Sequence, residues 1–377
     1  MPSQKLKIAI VGTSKRSEYM YANLIRGMAD ELELVAVWGR SEVSAARLAT
    51  ALGVPAYTDL AALVSEKKPD LAIVSVAYAA NGEVALAAVE AGLSILTETP
   101  IAHDLAQADK IIATAARNGV KVEVAEQFHR RPLEQIKLKL IELGLFGRVH
   151  SSFNDFAGHG YHGVSVMRSY LGFDSVPVRV TGAVREFPLV AHYGMISGKT
   201  EPRKETQEHG MVEFSDGRLG VFHWTSVGYD SPLRWWRSSR FLAEEGMGVS
   251  IGYHTEIEER LTVLNHGGRG ERAITIEREW ERCDGGALVA VHAYTGDTKH
   301  PVVTWENPFG RKTGGWNPQW HDDEIGVAGC IKSLIDAVRT GGEPSYGARQ
   351  ARLDQEIILA IRASSANGGT PVEIPAS

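Results

Sequence analysis

Apolar residues in the first 125 positions form short continuous runs that alternate with segments of helical spacing. Examples are Lys7–Val11, Leu32–Trp38 and Asp70–Val76, followed by Ser94–Thr97 and Val120–Val124. Runs of Val, Ile and Leu separated by helices are typical of parallel strands that are covered on both faces. This part of the chain therefore predicts a doubly wound parallel sheet, which binds ligands beyond the carboxyl ends of its strands.

The pattern changes after Arg131-Pro132. From about Val149 onward, short segments with alternating apolar and polar residues are separated by glycine-rich turns, as at Arg179–Val184 and Leu219–Trp224. Such alternation predicts strands with one solvated face. An open, mostly antiparallel sheet is the expected result.

Two domains follow from these two patterns. We predict an α/β protein with a Rossmann doubly wound parallel sheet over residues 1–127 and an α+β domain with the open sheet over residues 128–377. Amphipathic helices at Asp323–Arg339 and Ala348–Ser364 close the chain, and we expect the last helices to pack back on the first domain. A length of 377 residues agrees with two cores.

Composition excludes several classes of protein. The chain is 44% hydrophobic and 23% charged with a formal net charge of −6, so we expect neither nucleic acid nor a membrane surface as a partner. Its two cysteines, Cys283 and Cys330, rule out a disulfide framework. With no run of signal-peptide or membrane-spanning character, we expect a cytoplasmic protein.

The turn after the first strand resembles a phosphate-binding turn. Gly12 closes the strand and opens the turn, while Ser14 and Ser17 stand where the G-x-G-x-x-G fingerprint has its other two glycines. Serine is small, and the N–H groups at a helix N-terminus still hold phosphate. We therefore predict a dinucleotide site here; an ordinary βα turn without a ligand is the alternative.

The second strand ends in Gly39-Arg40-Ser41, without the acidic residue that usually binds the ribose of NAD. Arg40 and Ser41 suit a 2′-phosphate, which favours NADP. Alternatively, Arg40 flanks the adenine and the cofactor is NAD. We expect NAD, with NADP as the alternative.

The segment Glu98-Thr99-Pro100 resembles the Glu-Lys-Pro strand end of the glucose–fructose oxidoreductase / inositol dehydrogenase (Gfo/Idh/MocA) family. Gln127–Pro132 resembles the crossover of that family into its second domain, and Gly160-Tyr161-His162 resembles its Asp-x-Gly-x-His motif. The resemblance implies a sugar-oxidising homo-oligomer, a dimer or tetramer, with a nicotinamide cofactor. The expected cofactor contacts are Gly12, Thr13, Ser14, Arg16, Ser17, Gly39, Arg40, Ser41, Ala77, Glu98 and Gln127.

Two departures from the family pattern concern proton transfer. Thr99 stands at the position of the lysine and Gly158 at that of the aspartate, and threonine is no general base near neutral pH. His162 is the remaining group of the usual three. His159 appears as a second histidine, in a segment that resembles the motif of the NAD-dependent α-N-acetylgalactosaminidases, whose tyrosine corresponds to Phe156 here.

His159, His162 and Tyr161 are the predicted catalytic residues. A histidine is a suitable base for a sugar hydroxyl that loses its carbon-bound hydride. The alternative is that these side chains cap the following helix or satisfy core hydrogen bonds. We expect no metal, because HExxH and a cysteine pair are both absent from the sequence.

The segment Arg234-Trp235-Trp236-Arg237, with Arg240 shortly after it, has the composition of an anionic-sugar site. Aromatic rings stack on sugars, and arginines bind carboxylate, sulfonate or phosphate in bidentate fashion. An edge that packs on a partner subunit is the alternative. The predicted substrate contacts are Arg131, Trp235, Trp236 and Arg237.

Three functions are compatible with these residues. The leading hypothesis is an NAD-dependent glycoside hydrolase that oxidises a hydroxyl transiently, similar to the NAD-dependent sulfoquinovosidases. The alternative is a sugar or polyol dehydrogenase that uses His162 as its base. The third is an inactive sensor of sugar and cofactor, suggested by the missing lysine and the altered glycine turn.

Overall fold

The computed structural model describes residues 4–155, 158, 160–195, 197–226, 230–231, 237–253, 256–265, 267–281, 286–310 and 319–375. The chain divides into two compact units. The N-terminal unit contains residues 1–130 and 311–353, and the C-terminal unit contains residues 131–310 and 354–377. These units differ from the predicted blocks 1–127 and 128–377, because residues 311–353 belong with the N-terminal unit.

Six described strands form the parallel sheet of the N-terminal unit in the order β3-β2-β1-β4-β5-β6. The order reverses between β1 and β4, which is the switch point where such sheets bind ligands. The predicted Rossmann sheet is thus confirmed. The strands are β1 (Leu6–Val11), β2 (Leu32–Trp38), β3 (Ala56–Tyr57), β4 (Leu71–Val74), β5 (Ser94–Thr97) and β6 (Val122–Val124).

Helices cover this sheet, and local sequence sets their ends. Asp59 and Asp104 accept backbone N–H bonds at the starts of α3 and α5, and Gly53 and Gly119 end α2 and α5 in the left-handed conformation. The helices of the chain are α1 (Ala22–Gly27, after a π-helical turn Ser17–Tyr21), α2 (Glu42–Leu52), α3 (Leu60–Lys67), α4 (Asn81–Glu90), α5 (Leu105–Asn118), α6 (Pro132–Glu142), α7 (Gly160–Leu171), α8 (Asp322–Thr340) and α9 (Ala348–Ala366).

The C-terminal unit contains a sheet of eleven described strands, in which β7 and β10 are parallel and the other neighbours antiparallel. The predicted mostly antiparallel sheet is confirmed. Its order is β16-β15-β14-β13-β12-β11-β7-β10-β9-β8-β17, with β7 (Val149–Asp155), β8 (Pro177–Tyr193), β9 (Thr200–Phe214), β10 (Leu219–Thr225), β11 (Arg237–Ala243), β12 (Gly246–Tyr253), β13 (Glu256–Leu264), β14 (Glu271–Trp280), β15 (Leu288–Tyr294), β16 (Val302–Glu306) and β17 (Val372–Glu373).

One face of this sheet is covered by helices. Helix α7 packs on β7 and β10, and α6 packs on β15 and β16. Ile361 of α9 lies against Gly182 and Gly210, where any side chain would collide with it. Helix α6 is not predicted by the sequence pattern; it begins with Pro132, which suits a first helical position because its missing N–H needs no partner there.

None of the helices in the described part of the chain combines the length and the apolar character that a bilayer span requires.

Candidate functional site

Gly12 is held in a conformation and a space that admit only glycine. Its φ is +121°, and a Cβ atom there would collide with the carbonyl oxygen of Ser75, the residue after β4. Its N–H donates to the carbonyl oxygen of Trp38 at 2.9 Å. The first glycine of the fingerprint therefore joins the carboxyl ends of β1, β2 and β4.

Two serines, Ser14 and Ser17, stand where the fingerprint has glycines, and Ser75 is their hydrogen-bond partner. The Oγ of Ser14 lies 2.9 Å from the Oγ of Ser75 and 3.1 Å from the Oγ of Ser17. Ser17 is fully buried, and its hydroxyl donates to the carbonyl oxygen of Ser75 at 3.3 Å. At these two positions, hydrogen bonds to Ser75 hold the turn next to the end of β4.

Glu98, directly after β5, is held by two partners. Its Oε1 lies 2.5 Å from Nε of Arg16 and accepts the hydroxyl of Tyr21 at 2.7 Å. Burial lowers the pKa of the Arg16 guanidinium, but Glu98, Tyr21 and Asp323 together raise it more, so the net pKa is raised. Burial and the Glu98 charge both raise the pKa of Tyr21. Arg16 is therefore charged and Tyr21 neutral at physiological pH.

The backbone that follows Glu98 is fixed by the buried side chain of Asn81. Its amide donates to the carbonyl oxygens of Glu98 at 2.8 Å and of Pro100 at 2.9 Å, across the cis peptide bond between Thr99 and Pro100. Thr99, the residue at the family's lysine position, therefore has a defined place next to Glu98.

Gly39, Arg40 and Ser41 follow β2. A Cβ atom at Gly39 would lie 2.9 Å from a methyl group of Thr13, so the first two strand ends touch. Ser41 caps α2, where its Oγ accepts the N–H of Ser44 at 3.3 Å. Arg40 is exposed.

Ala77 and Gln127 complete the predicted cofactor set. Ala77 is exposed in the loop after β4, and Gln127 is buried after β6, against Gly326 of α8. In the described residues, Oε1 of Gln127 is buried without a hydrogen-bond partner. Such an acceptor costs about 1–3 kcal/mol when it has no donor, so a ligand with a donor group fits here.

Tyr161 and His162 lie in the first turn of α7, in the C-terminal unit. Their rings meet edge to face with centroids 4.7 Å apart, and His162 is buried. Gly158 approaches the helix so closely that a Cβ atom would lie 2.7 Å from the backbone nitrogen of Gly163. This backbone leaves no room for the aspartate of the family motif. His159 and Phe156 lie outside the described residues.

Arg131 and Arg237 line one pocket of the C-terminal unit, which encloses about 400 Å³ with its open mouth included. We call it the Arg131–Arg237 pocket. Its polar lining residues are Arg131, Glu134, Arg237, Ser238, Ser239 and Ser250.

Arg240, another member of the predicted anion site, is not among the residues that line this pocket. Arg234, Trp235 and Trp236 lie outside the described residues. Arg240 lies over the ring of Phe153, with its guanidinium carbon 4.2 Å from the centroid. The expectation that Arg237 and Arg240 act together is wrong, because residues three apart in a strand point to opposite faces.

A buried ionic group beside this pocket has no counterpart in the sequence prediction. Nζ of Lys137 lies 2.9 Å from Glu134 and 3.3 Å from Glu259, and its side chain is only 1% exposed. Ser250 bonds both Lys137 and Glu259, and the hydroxyl of Tyr170 donates to Glu134. We call these five residues the Lys137 cluster. The sequence contains one indication of this cluster, because Glu134 and Lys137 are three residues apart and such residues are neighbours on a helix. This indication applies only if α6 is recognised as a helix.

Burial and the neighbouring charges shift the pKa values of Glu259 and Lys137 in this cluster. Burial raises the pKa of Glu259 to about 7, although Lys137 opposes the shift. Burial also lowers the pKa of Lys137, but Glu134 and Glu259 raise it more. Lys137 is therefore charged at neutral pH.

Asp155, His209 and His223 form a second cluster that the sequence did not indicate. Oδ1 of Asp155 lies 2.6 Å from Nδ1 of His223, whose ring stacks on that of His209 at 4.4 Å. The bond to His223 lowers the pKa of Asp155, and burial lowers the pKa of His209. Across the described ranges, no three His, Cys, Asp or Glu side chains are arranged to hold a metal ion.

Fold and turn geometry define the N-terminal unit as a dinucleotide-binding domain. Residues 6–126 match the model of the Gfo/Idh/MocA oxidoreductase family, NAD-binding Rossmann fold. The match extends over about a third of the chain, and it agrees with the resemblance to this family for these residues.

Two proteins that are similar to parts of this chain are named as dehydrogenases. The dehydrogenase AclE of Aspergillus oryzae is 29% identical over 157 residues, 39% of this chain and 43% of that protein. Myo-inositol dehydrogenase Hyg17 of Streptomyces leeuwenhoekii is 26% identical over 235 residues, 56% of this chain and 65% of that protein. The matched stretches span less than two thirds of either relative.

Solved structures match over nearly the whole chain. An oxidoreductase domain protein from Kribbella flavida has a TM-score of 0.73 at 19% identity, covering 99% of this chain and 100% of that one. The WlbA dehydrogenase from Bordetella pertussis, crystallised with NADH and UDP-GlcNAcA, has a TM-score of 0.67 at 16% identity, with coverage of 99% and 100%. At such identities the likeness shows the fold alone.

Proposed function

We propose that this protein is an NAD-dependent oxidoreductase that removes hydride from a ring hydroxyl of a sugar or cyclitol. The turn in which Gly12, Ser14, Ser17 and Ser75 join the strand ends at the switch point carries this proposal. A myo-inositol dehydrogenase among the relatives, and a sugar nucleotide bound to a structural neighbour, support a polyhydroxylated ring as substrate.

Several residues fit NAD. The backbone from Gly12 to Ser17 suits the pyrophosphate, because this turn leads into a helix N-terminus. The exposed Arg40 suits the adenine face, and the unpartnered Oε1 of Gln127 suits a carboxamide donor such as that of nicotinamide. Bound NAD would supply the hydride acceptor. Arg16 and Glu98 hold each other at the end of β5, so we assign them to positioning this edge.

Proton removal requires a side chain that can act as a base. A hydroxyl that loses its carbon-bound hydride must also lose its proton, and neither Thr99 nor Gly158 can accept one. We assign this role to His162, supported by its burial in the first turn of α7 beside Tyr161. His159 and Tyr161 assist as further proton-transfer groups. We also propose a cytoplasmic homo-oligomer, in keeping with a sheet face that none of the described helices covers.

The test is reduction of NAD by a panel of sugars and cyclitols. With the best substrate, His162→Ala should lower kcat about 10²- to 10⁴-fold and leave the Kd of NAD unchanged, because the histidine moves a proton and does not bind the cofactor. His150→Ala, at an exposed position on β7, is the matched control. Unchanged kcat in His162→Ala would refute the assigned role.

A redox-neutral glycoside hydrolase is the second candidate. Thr99 replaces the lysine, and Gly158 has no space for an aspartate, so the dehydrogenase set is incomplete. In this reaction, hydride leaves C3 to give a ketone, a base removes the C2 proton, and the aglycone leaves C1. Water then adds to C1 while a proton returns to C2, and the hydride returns to C3. An anionic, sulfoquinovose-like pyranoside is the substrate for this candidate.

Isotope labelling separates the two candidates. A hydrolase releases the aglycone of a chromogenic glycoside without net NADH, and in deuterated water the sugar gains deuterium at C2. A dehydrogenase forms NADH in proportion to product and leaves C2 unlabelled. A sensor that only binds does neither.

A further inference from the structure

The Arg131–Arg237 pocket has an unusually polar lining. Only Gly252 and Ile257 among its described lining residues lack a polar side chain. The other lining residues include Arg131 and Arg237. Ligand pockets are usually mostly apolar with a few placed polar groups, so this lining indicates recognition of a charged or strongly polar group.

The inner wall of the pocket is formed by the Lys137 cluster. Glu134 and Ser250 belong to both, and Ser239, a third lining residue, lies 3.1 Å from the hydroxyl of Tyr170. Burying Lys137 with two carboxylates costs free energy that a packed apolar core would avoid. A cluster of this kind beside a cleft is a candidate for a functional site.

The carboxylates of this wall are occupied by partners inside the unit. Glu134 accepts from Lys137 and Tyr170, and Glu259 accepts from Lys137 and Ser250. Lys137 balances one of these two carboxyl groups, and burial raises the pKa of Glu259 to about 7, which lowers the negative charge of the pair at neutral pH. Arg131 immediately precedes α6, so the pocket also faces the start of that helix, where the backbone dipole adds positive potential.

We propose that the Arg131–Arg237 pocket binds the acidic group of an anionic sugar substrate: a carboxylate, a sulfonate or a phosphate ester. The proposal rests on the proposed function in taking this ligand to be the substrate of the NAD-dependent reaction. Two guanidinium groups bind such oxyanions through charge-assisted, bidentate hydrogen bonds. The Lys137 cluster positions the wall by holding α6, β12 and β13 at fixed spacing through buried bonds.

The experiment measures binding of four sugars to the full-length protein with NAD. Glucuronate, glucose 6-phosphate and 6-deoxy-6-sulfoglucose are compared with glucose by calorimetry. At least one anionic sugar should bind ten or more times tighter than glucose. Arg237→Ala should weaken the binding of that anionic sugar on the order of 100-fold, because a bidentate charged contact is lost, and should leave the affinity for glucose unchanged.

Arg240→Ala is the matched control, since Arg240 is on the same strand but faces the opposite side, over Phe153. It should bind all four sugars as the wild type does. Arg237→Lys, which keeps the charge but loses the planar fork, should recover only part of the affinity. Arg131→Gln provides an independent variant if Arg237→Ala fails to fold, as judged by retention of NAD.

Two results would overturn the proposal. One is that no anionic sugar of the panel binds tighter than glucose. The other is that the Arg237 and Arg131 variants lose affinity for glucose and for the anionic sugars to the same degree. Failure of the proposed function looks different. In that case, anion-selective binding persists and depends on Arg237, but neither NADH formation nor aglycone release occurs with any sugar or glycoside of the panel.

Discussion

Single residues at the end of β1 show how a weak sequence fingerprint becomes a well-defined turn. Ser14 and Ser17 replace two glycines, and Ser75, sixty residues away, provides the partner that makes these replacements compatible with close packing. Gly12 has no such substitute, because its Cβ would occupy the space of the Ser75 carbonyl oxygen. One glycine is therefore essential here, whereas the other two positions tolerate a small hydroxyl.

Gly12→Ala should destabilise the N-terminal unit on the order of 4 kcal/mol and abolish NAD binding. The collision with Ser75 forces the turn away from β4, and such severe effects come from backbone strain of this kind. Denaturant unfolding and calorimetry with NAD measure both quantities. Gly53→Ala is the control: its φ is also positive, but no atom lies within 4 Å of the added Cβ, so it should cost only about 1–2 kcal/mol.

Glu98→Gln should lower the free energy of unfolding by about 2 kcal/mol and weaken NAD binding. The amide keeps an acceptor for Tyr21 but leaves the largely buried Arg16 charge without its ionic partner. Glu18→Gln is the control, because Glu18 and Arg47 form a pair with side chains 46% and 52% exposed, and exposed pairs contribute little. Equal stability of the two variants would contradict the assigned positioning role.

In the C-terminal unit, the face to which a side chain points decides which cluster or pocket it joins. Helix α6 supplies Glu134 and Lys137 to one buried cluster, while β12 and β13 supply Ser250 and Glu259 from the facing sheet. On β11, alternation separates Arg237 from Arg240. Sequence proximity grouped these arginines, but strand geometry divides them between two faces.

The Lys137 cluster makes stability depend on pH. Burial raises the pKa of Glu259 from 4.5 to about 7, so the folded state binds this proton more tightly than the unfolded state does. The contribution of Glu259 is therefore most favourable below about pH 4.5 and is lost as pH rises through about 7, by about 3 kcal/mol in total.

Glu259→Gln removes this dependence, because an amide does not titrate. The difference in unfolding free energy between wild type and variant should change by that amount from pH 4.5 to 7.5 in urea titrations. Glu258→Gln, at the exposed neighbouring position on β13, should keep the wild-type profile. A pH-independent difference for Glu259→Gln would show that the carboxyl group does not titrate as stated.

At the scale of the whole molecule, the chain passes between its two units three times. It leaves the N-terminal unit after Arg130, returns at Arg311 and leaves again after Leu353. The returning segment is structural: α8 packs on β5 and β6, and Ser333 donates to the fully buried carboxylate of Glu123 at 2.8 Å.

Residues 1–130 expressed alone should therefore fail to unfold cooperatively. Without residues 311–353, one side of β5 and β6 is uncovered, and Glu123 keeps only Arg130 as a partner among those described in this unit. Fusing residues 311–353 to 1–130 through a flexible linker should restore a cooperative transition, followed by circular dichroism. A cooperative transition of the shorter fragment would contradict the role given to α8.

The sequence by itself determined the features that arise within short windows. Continuous apolar runs specified the parallel strands, alternation specified the open sheet, and Gly12 marked the ligand turn, because each depends on residues a few positions apart. A Rossmann fold could be predicted for the N-terminal residues on that basis, and residues 6–126 match a family model with this fold. Helix α6 was not predicted, because its buried face includes Lys137, and a lysine in the sequence indicates an exposed position.

Only the tertiary structure decided which distant residues meet. Ser14 gains its partner Ser75, Lys137 gains Glu259 from 122 positions further along, and Arg131 shares a pocket with Arg237 while Arg240 is turned away. No local pattern contains these pairings, because they arise when strands far apart in the chain become neighbours and alternation sends successive side chains to opposite faces.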